Sequence, residues 1–323
     1  MSSDTWSPME DLAINTSFSH TEFILRGFPG ISQSRQILAI PLLFMYTIIL
    51  ISNGVILHII CMEKTLHLPM YILIMLLLAG NIVYSMAIVP KFLLALVFEL
   101  DQITLTGCLT QMLFMYFTGT FESNALLLMA IDRYIAIMIP LHYHHIMSSR
   151  TLTMLVLVGY LRSLLLSSVI VGFASKVQFC RSNVILNFAC ENMSLLSLGC
   201  GDLSRVHTVG LWVRILFTGF DGTIILVSYV RILHTIRKLV EGKSREKSWQ
   251  TCSAHMQATT VTYVCGFSAS VAYRIGSVIS TDVQNSVNLI NYVIPTASDP
   301  FIYGLKMREI RKTLKRTLRQ RSS

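Results

Sequence analysis

The stretch LPMYILIMLLLAGNIVYSMAIVPKFLLALV, residues 68–97, decides the fold. Lys91 is its one charged side chain. As a helix it rises about 45 Å, more than the ~30 Å hydrocarbon core of a bilayer. Six further segments are long and apolar enough to do the same: 37–61, 105–139, 150–173, 204–238, 248–279 and 285–307. The whole chain agrees. Of 323 residues, 53% are hydrophobic and 13% charged, against about 25% charged in soluble domains. A soluble protein of this length needs polar surface all round it, and long stretches of this chain have none. No period-two pattern with regular turns suggests a barrel. The expected class is an all-α membrane protein, a seven-transmembrane helix bundle with a short amphipathic C-terminal helix.

Charge sets the expected orientation. The net charge is +9, and the basic residues crowd Arg231 to Lys247 and the tail from Lys306 onward. Both regions abut apolar spans, as cytoplasmic loops do, which argues against nucleic acid as partner. Asp4, Glu10, Asp11 and Glu22 lie in the N-terminal segment. Positive-inside therefore predicts an extracellular N-terminus over 1–36, a seven-span bundle over 37–307, and a cytoplasmic helix and tail over 308–323. Residues 1–36 lack the basic and apolar regions of a cleavable signal, so the first span is expected to serve as targeting signal. Asn15-Thr16-Ser17 and Asn192-Met193-Ser194 are glycosylation sequons on the expected outer side, Asn15 the better candidate. In the tail, Ile310, Leu314 and Leu318 recur at spacing four between basic residues, a pattern for lying on a membrane surface. No internal repeat supports a transporter built from paired halves.

Ionisable groups inside spans are costly and so mark function. The strongest group is Asp132-Arg133-Tyr134 within MAIDRYIAIMIPLHY at 129–143. Around it stand LHLPMY at 66–71, SYVRIL at 228–233, KSWQTCSAH at 247–255 and DPFIYGLKMREIRK at 299–312. In order and spacing these resemble the odorant receptors among the rhodopsin-like G-protein-coupled receptors. GFPGI at 27–31, FCRSNVI at 179–185, GCGD at 199–202 and GFD at 219–221 resemble their class I, fish-like branch.

The resemblance implies a plasma-membrane receptor that binds small odorants, activates a stimulatory heterotrimeric G protein and is not an enzyme. It implies that Arg133 is held by Asp132 at rest and freed on activation toward Tyr229 and Tyr303. It implies disulfides Cys108–Cys190 and Cys180–Cys200, with Cys61, Cys252 and Cys265 as free thiols. The chain departs from the family twice. Asn81 stands where an aspartate is usual, and Asp299 where an asparagine is usual. The exchange retains one carboxylate, and Asn81, Glu122 and Asp299 are expected to form a polar core suited to Na⁺ or to a protonated acid. No other metal or cofactor is expected.

The odorant pocket is expected in the outer half between spans three, five, six and seven. Met112, Met115, Tyr116 and Gly119 are wall candidates on span three. Tyr263, Phe267, Ser270 and Arg274 recur at spacings of four, three and four on one face of span six. Arg274 suggests a bidentate anchor for a carboxylate ligand, the plain alternative being a snorkelling cation or a pair with Asp282. Arg214 and Asp221 stand two turns apart, Asp221 read as structural. His142, His144 and His145 lack metal-ligand neighbours and read as a loop touching the G protein. The rival readings are a non-olfactory metabolite or peptide receptor of the same fold, and a transporter.

Overall fold

A computed structural model describes residues 19–239, 242–275 and 278–321; the Asn15 sequon lies outside them. Seven long helices follow one another: α1 Ala39–Met62, α2 Pro69–Val97, α3 Leu105–Met138, α4 Ser149–Ala174, α5 Ser204–Leu239, α6 Gly242–Arg274 and α7 Thr281–Lys306. An eighth, α8 Arg308–Arg321, turns off the end of α7 after Met307, whose extended backbone interrupts the helix. On length and composition alone, four helices qualify as membrane spans: α1 with its lead-in, α2, α4 and α5. α3 makes a fifth together with the sharply bent Pro140–Ile146. α6 and α7 are the more polar members of the bundle. α6 starts several residues before the expected apolar span, because Gly242–Ser248 is polar sequence that continues the helix beyond the hydrocarbon.

Local chemistry starts the helices where they start. Pro69 occupies the first turn of α2, where its missing N–H costs nothing. Thr104, Ser148 and Ser280 cap α3, α4 and α7, each side chain accepting from a backbone N–H three residues on. Pro90, Pro295 and Pro300 sit inside helices, where packed neighbours in a membrane bundle make up the lost bonds.

One end of the bundle carries a small sheet that periodicity did not suggest. Strand β1, Glu22–Leu25, lies between β2, Gln102–Thr104, and β3, Val184–Ile185. β1 is antiparallel to β2 and parallel to β3. Phe23 and Leu25 point from β1 into a core shared with Met112, Phe179 and both cysteines of the Cys108–Cys190 pair. Strands of two to four residues leave no readable alternation in the sequence. At the opposite end, a larger apolar core joins Ile59, Leu73, Leu126, Ile232, Ala258 and Tyr303, and Ile310 of α8 completes it.

Candidate functional site

At the sheet end, the disulfides Cys108–Cys190 and Cys180–Cys200 are both formed. The first draws the α4–α5 loop over α3, where Cys190 N–H donates to Gln111 (2.8 Å). Glu191 then caps the short helix Asn192–Leu196 and accepts from Tyr116 Oη of α3 (3.0 Å). Tyr273 of α6 accepts from Asn187 of this loop and Asn288 of α7, both at 2.7 Å. The loop is thus tied to α3, α6 and α7 at once.

The expected wall residues divide under this roof. Met112 is fully buried, Met115 and Tyr116 pack against the apolar clusters, and Gly119 faces open space where a side chain could stand. Tyr263 reaches into the bundle, Ser270 is half-buried, and Arg274 is exposed at the end of α6. Phe267 is 71% exposed and joins none of the buried clusters. The expected α6 face therefore slants away from the interior as it rises, and Tyr273, adjacent to Arg274, is the residue that turns inward. Asp282 accepts from Gly30 N–H (3.0 Å), and no ion pair with Arg274 is found among the described residues. Asn192 of the second sequon is buried, 5% exposed.

Half-way through the bundle a polar network crosses four helices. Arg162 of α4 grips Asp221 of α5 with both terminal nitrogens, one bond measuring 2.8 Å. Ser123 of α3 donates to Asp221 (2.9 Å) and meets Tyr263 Oη of α6 (3.1 Å). Gly222 lets the Tyr263 ring approach, since a Cβ there would lie 3.1 Å from it. Asp221 is 1% exposed, and its partner is Arg162; the Arg214 side chain lies outside the described residues. Nearby, Asn81 donates to Asp299 (3.0 Å) and to Asn53 (3.2 Å). Glu122 accepts instead from Thr262 of α6 (2.9 Å), and shares a narrow cavity with Asn81, Thr118 and Tyr84. Among the described residues, Asp299 Oδ1 is buried without a hydrogen-bond partner.

At the far end, Asp132 is fully buried and takes up its neighbour's guanidinium, with Arg133 Nε at 2.9 Å and a second bond from Nη2. Tyr143, in the turn after α3, donates to the other carboxylate oxygen (2.7 Å). Burial, and then the Asp132 charge, push the Tyr143 hydroxyl well above the usual phenol range, so it stays a donor. Tyr134 is half-buried beside this core. Tyr229 is hydrogen-bonded to His255 of α6, and Tyr303 Oη faces Met129 sulfur at 3.9 Å. Among the described residues, neither tyrosine is hydrogen-bonded to Arg133.

A family profile described as olfactory receptor matches residues 42–321, nearly the whole bundle. The chain belongs to the olfactory receptor family. Human olfactory receptor 52N2 is 32% identical over 291 residues, covering 90% of this chain and 91% of its own length. Human olfactory receptor 52N5 is 34% identical over 295 residues, with 90% and 91% covered. Human olfactory receptor 51G1 is 29% identical over 303 residues, with 94% of each chain covered. This olfactory receptor is accordingly a multi-pass plasma-membrane protein that binds odorants and couples to a G protein. Its class I resemblance stands in the 52 and 51 groups that it matches.

Several residues of the receptor's polar network escape a reading by motif. Arg162 carried a signal, being the one charge in the interior of its span. Its partner lies 59 residues away, so spacing could not pair them. Tyr143 sits within the quoted motif, but its reach back to Asp132 depends on the bend after Ile139. Tyr273, Glu191 and Ser123 left no trace distinct from ordinary helix and loop residues.

Proposed function

We propose that odorants bind between α3, α5, α6 and α7 beneath the disulfide-tied loop, with the N-terminus and this loop outside the cell. The observation that carries the reading is Ser123, which touches both Asp221 and Tyr263. Through it the middle of α6 is bonded to a network spanning α3, α4 and α5. A ligand that displaces Tyr263 changes the bonding of α6 directly, and a population shift needs such differential contact. At the opposite end, outward movement of α6 separates His255 from Tyr229 and frees Tyr229 and Tyr303 to receive Arg133. The opened basic cleft then accepts the C-terminal helix of a stimulatory Gα, raising cyclic AMP.

The finer ligand reading is a carboxylate with an aliphatic tail, anchored at Arg274. Engagement of Asp282 by Gly30 supports it, because the nearest acid on α7 is occupied and the guanidinium is left for a ligand. The central cluster adds a Na⁺ proposal: Glu122 and the spare Asp299 Oδ1 offer hard oxygen donors near Asn81.

The test is cyclic AMP in cells expressing the chain with a stimulatory Gα, challenged with short acids, alcohols, amines and esters. Arg133→Ala and Arg274→Ala run beside it at matched surface expression. An acid response lost in both variants supports coupling and anchor together. A response that survives Arg274→Ala removes the anchor. A response that survives Arg133→Ala removes the coupling mechanism.

A further inference from the structure

The sheet end of the bundle is covered. Phe23 and Leu25 are buried in it beside Met112, and Asn285 of α7 donates to Leu186 O of the α4–α5 loop (3.2 Å). With the bonds of Gln111, Tyr116 and Tyr273, that loop is tied down on α3, α6 and α7. The flank between α5 and α6 is different. α6 packs along α7 far more extensively than along α5. Half-way along, α5 and α6 meet, since a Cβ on Gly222 would lie 3.1 Å from the Tyr263 ring. One turn nearer the sheet they have parted. Thr218 and Gly219 share the Gly222 face of α5 and are exposed. Among the described residues, a Cβ on Gly219 would meet no atom within 4 Å. Ile215 continues that exposed face, and Phe267, one turn beyond Tyr263, is exposed on α6. The seam is thus apolar at its mouth. It ends on Tyr263, whose hydroxyl meets Ser123 beside Asp221.

We propose that the α5–α6 seam is the port through which uncharged odorants dissolved in the membrane reach the interior. The proposal rests on the odorant pocket proposed between α3, α5, α6 and α7, and adds its route and its ligand class. Ile215 and Gly219 lie well inside the span of α5, so the mouth opens on hydrocarbon rather than water. The floor offers the hydroxyls of Ser123 and Tyr263 to an alcohol, aldehyde or ester group. Each methylene of an aliphatic odorant favours hydrocarbon about fourfold, so the bilayer concentrates such a ligand at the mouth. An ionised carboxylate bears the cost of leaving water along the same path, so an acid passes as its neutral form. The port selects by charge before the pocket selects by contact.

The experiment uses the full chain in phosphatidylcholine discs and, as probe, octanol carrying a photoreactive diazirine. Probe and discs are mixed rapidly and flashed after set delays. Label on the α6 segment around Tyr263 is read by mass spectrometry, and only label displaced by excess plain octanol is counted. Gly219→Trp narrows the mouth without touching the floor. It should slow the appearance of label about tenfold and leave the plateau at the wild-type level, whereas a pocket-wall substitution would move the plateau. Ile215→Ala opens the mouth and should quicken the label, so a tryptophan variant that fails to fold does not shield the proposal. Loosening the roof with Asn187→Ala and Asn288→Ala should leave the rate unchanged. Wild-type rates in both Gly219→Trp and Ile215→Ala, or a faster rate with the roof loosened, overturn the port and leave the pocket standing. No displaceable label beside Tyr263 in any variant overturns the pocket, and the port with it.

Discussion

Both ends of this receptor place a tyrosine hydroxyl on a carboxylate, and the two bonds have different company. At the sheet end Tyr116 donates to Glu191, whose loop is held by Cys108–Cys190, by β1 between two strands, and by Tyr273. At the other end Tyr143 donates to Asp132, whose remaining partner is the guanidinium of its own neighbour. Covalent links and a three-stranded sheet fix one geometry. Hydrogen bonds and an adjacent ion pair can exchange partners with little cost in covalent structure. The comparison teaches where movement belongs: the sheet end is built to hold shape, and the Asp132 end is built to change it.

The largest effect should come from cutting the rigid end. Cys108→Ser removes a link between segments 82 residues apart, a loss of about 2–5 kcal/mol. Surface labelling should fall to near background; normal surface level with normal signalling would break the comparison. Next comes the joint between the ends. Asp221→Asn strands Arg162 inside the bundle, and breaking a buried pair costs about 3–5 kcal/mol. Adding Arg162→Met to it should recover part of the thermal stability in detergent. A double variant no better than the single would mean that the pair is not a unit.

The sharpest contrast is between the tyrosines. Tyr143→Phe removes one bond to the buried Asp132, worth about 1.5–3 kcal/mol for a charged acceptor. Basal cyclic AMP with a stimulatory Gα should rise several-fold. Tyr116→Phe removes the matching bond at the sheet end and should leave basal signalling at the wild-type level. Equal effects would erase the distinction drawn here. Glu63→Gln should matter least, shifting the melting temperature below detection at neutral pH. Because its partners, Thr65 and then Arg316, lower the Glu63 pKa, whatever it contributes is present at neutral pH and is lost only as pH falls through that lowered value.

Most of the fold was legible because lipid imposes a simple demand. Each span had to be apolar over a bilayer's thickness, and all seven helices begin near where apolarity begins, α6 excepted. Asp132, Arg133 and Tyr229 stood out because they sit in sequence motifs with fixed order, and the structure pairs Asp132 with Arg133. The roof was less so. β1 is four residues long and its partners lie in two other loops, so nothing local announced it. Likewise Phe267 and Arg274 shared a face with Tyr263 on an ideal helix, but helix spacing does not say at what height that face leaves the bundle. Tyr273 took the inward role because its hydroxyl could reach Asn187 and Asn288, a tertiary fact with no local signature.

The central claim is that α6 moves at the Asp132 end while the sheet end keeps its geometry. Paired spin labels test it most directly, with exposed Cys61 replaced by serine. One pair, the inner on the proposed orientation, sits at Arg150 and Trp249 near the Asp132 ends of α4 and α6; the other, the outer, sits at Ser175 and Ser268 near their sheet ends; all four positions are exposed. Distances are recorded with and without nucleotide-free stimulatory G protein. The account predicts that the inner pair separates by several ångströms while the outer pair holds. Equal movement in both pairs, or a fixed inner pair with the G protein bound, would contradict it.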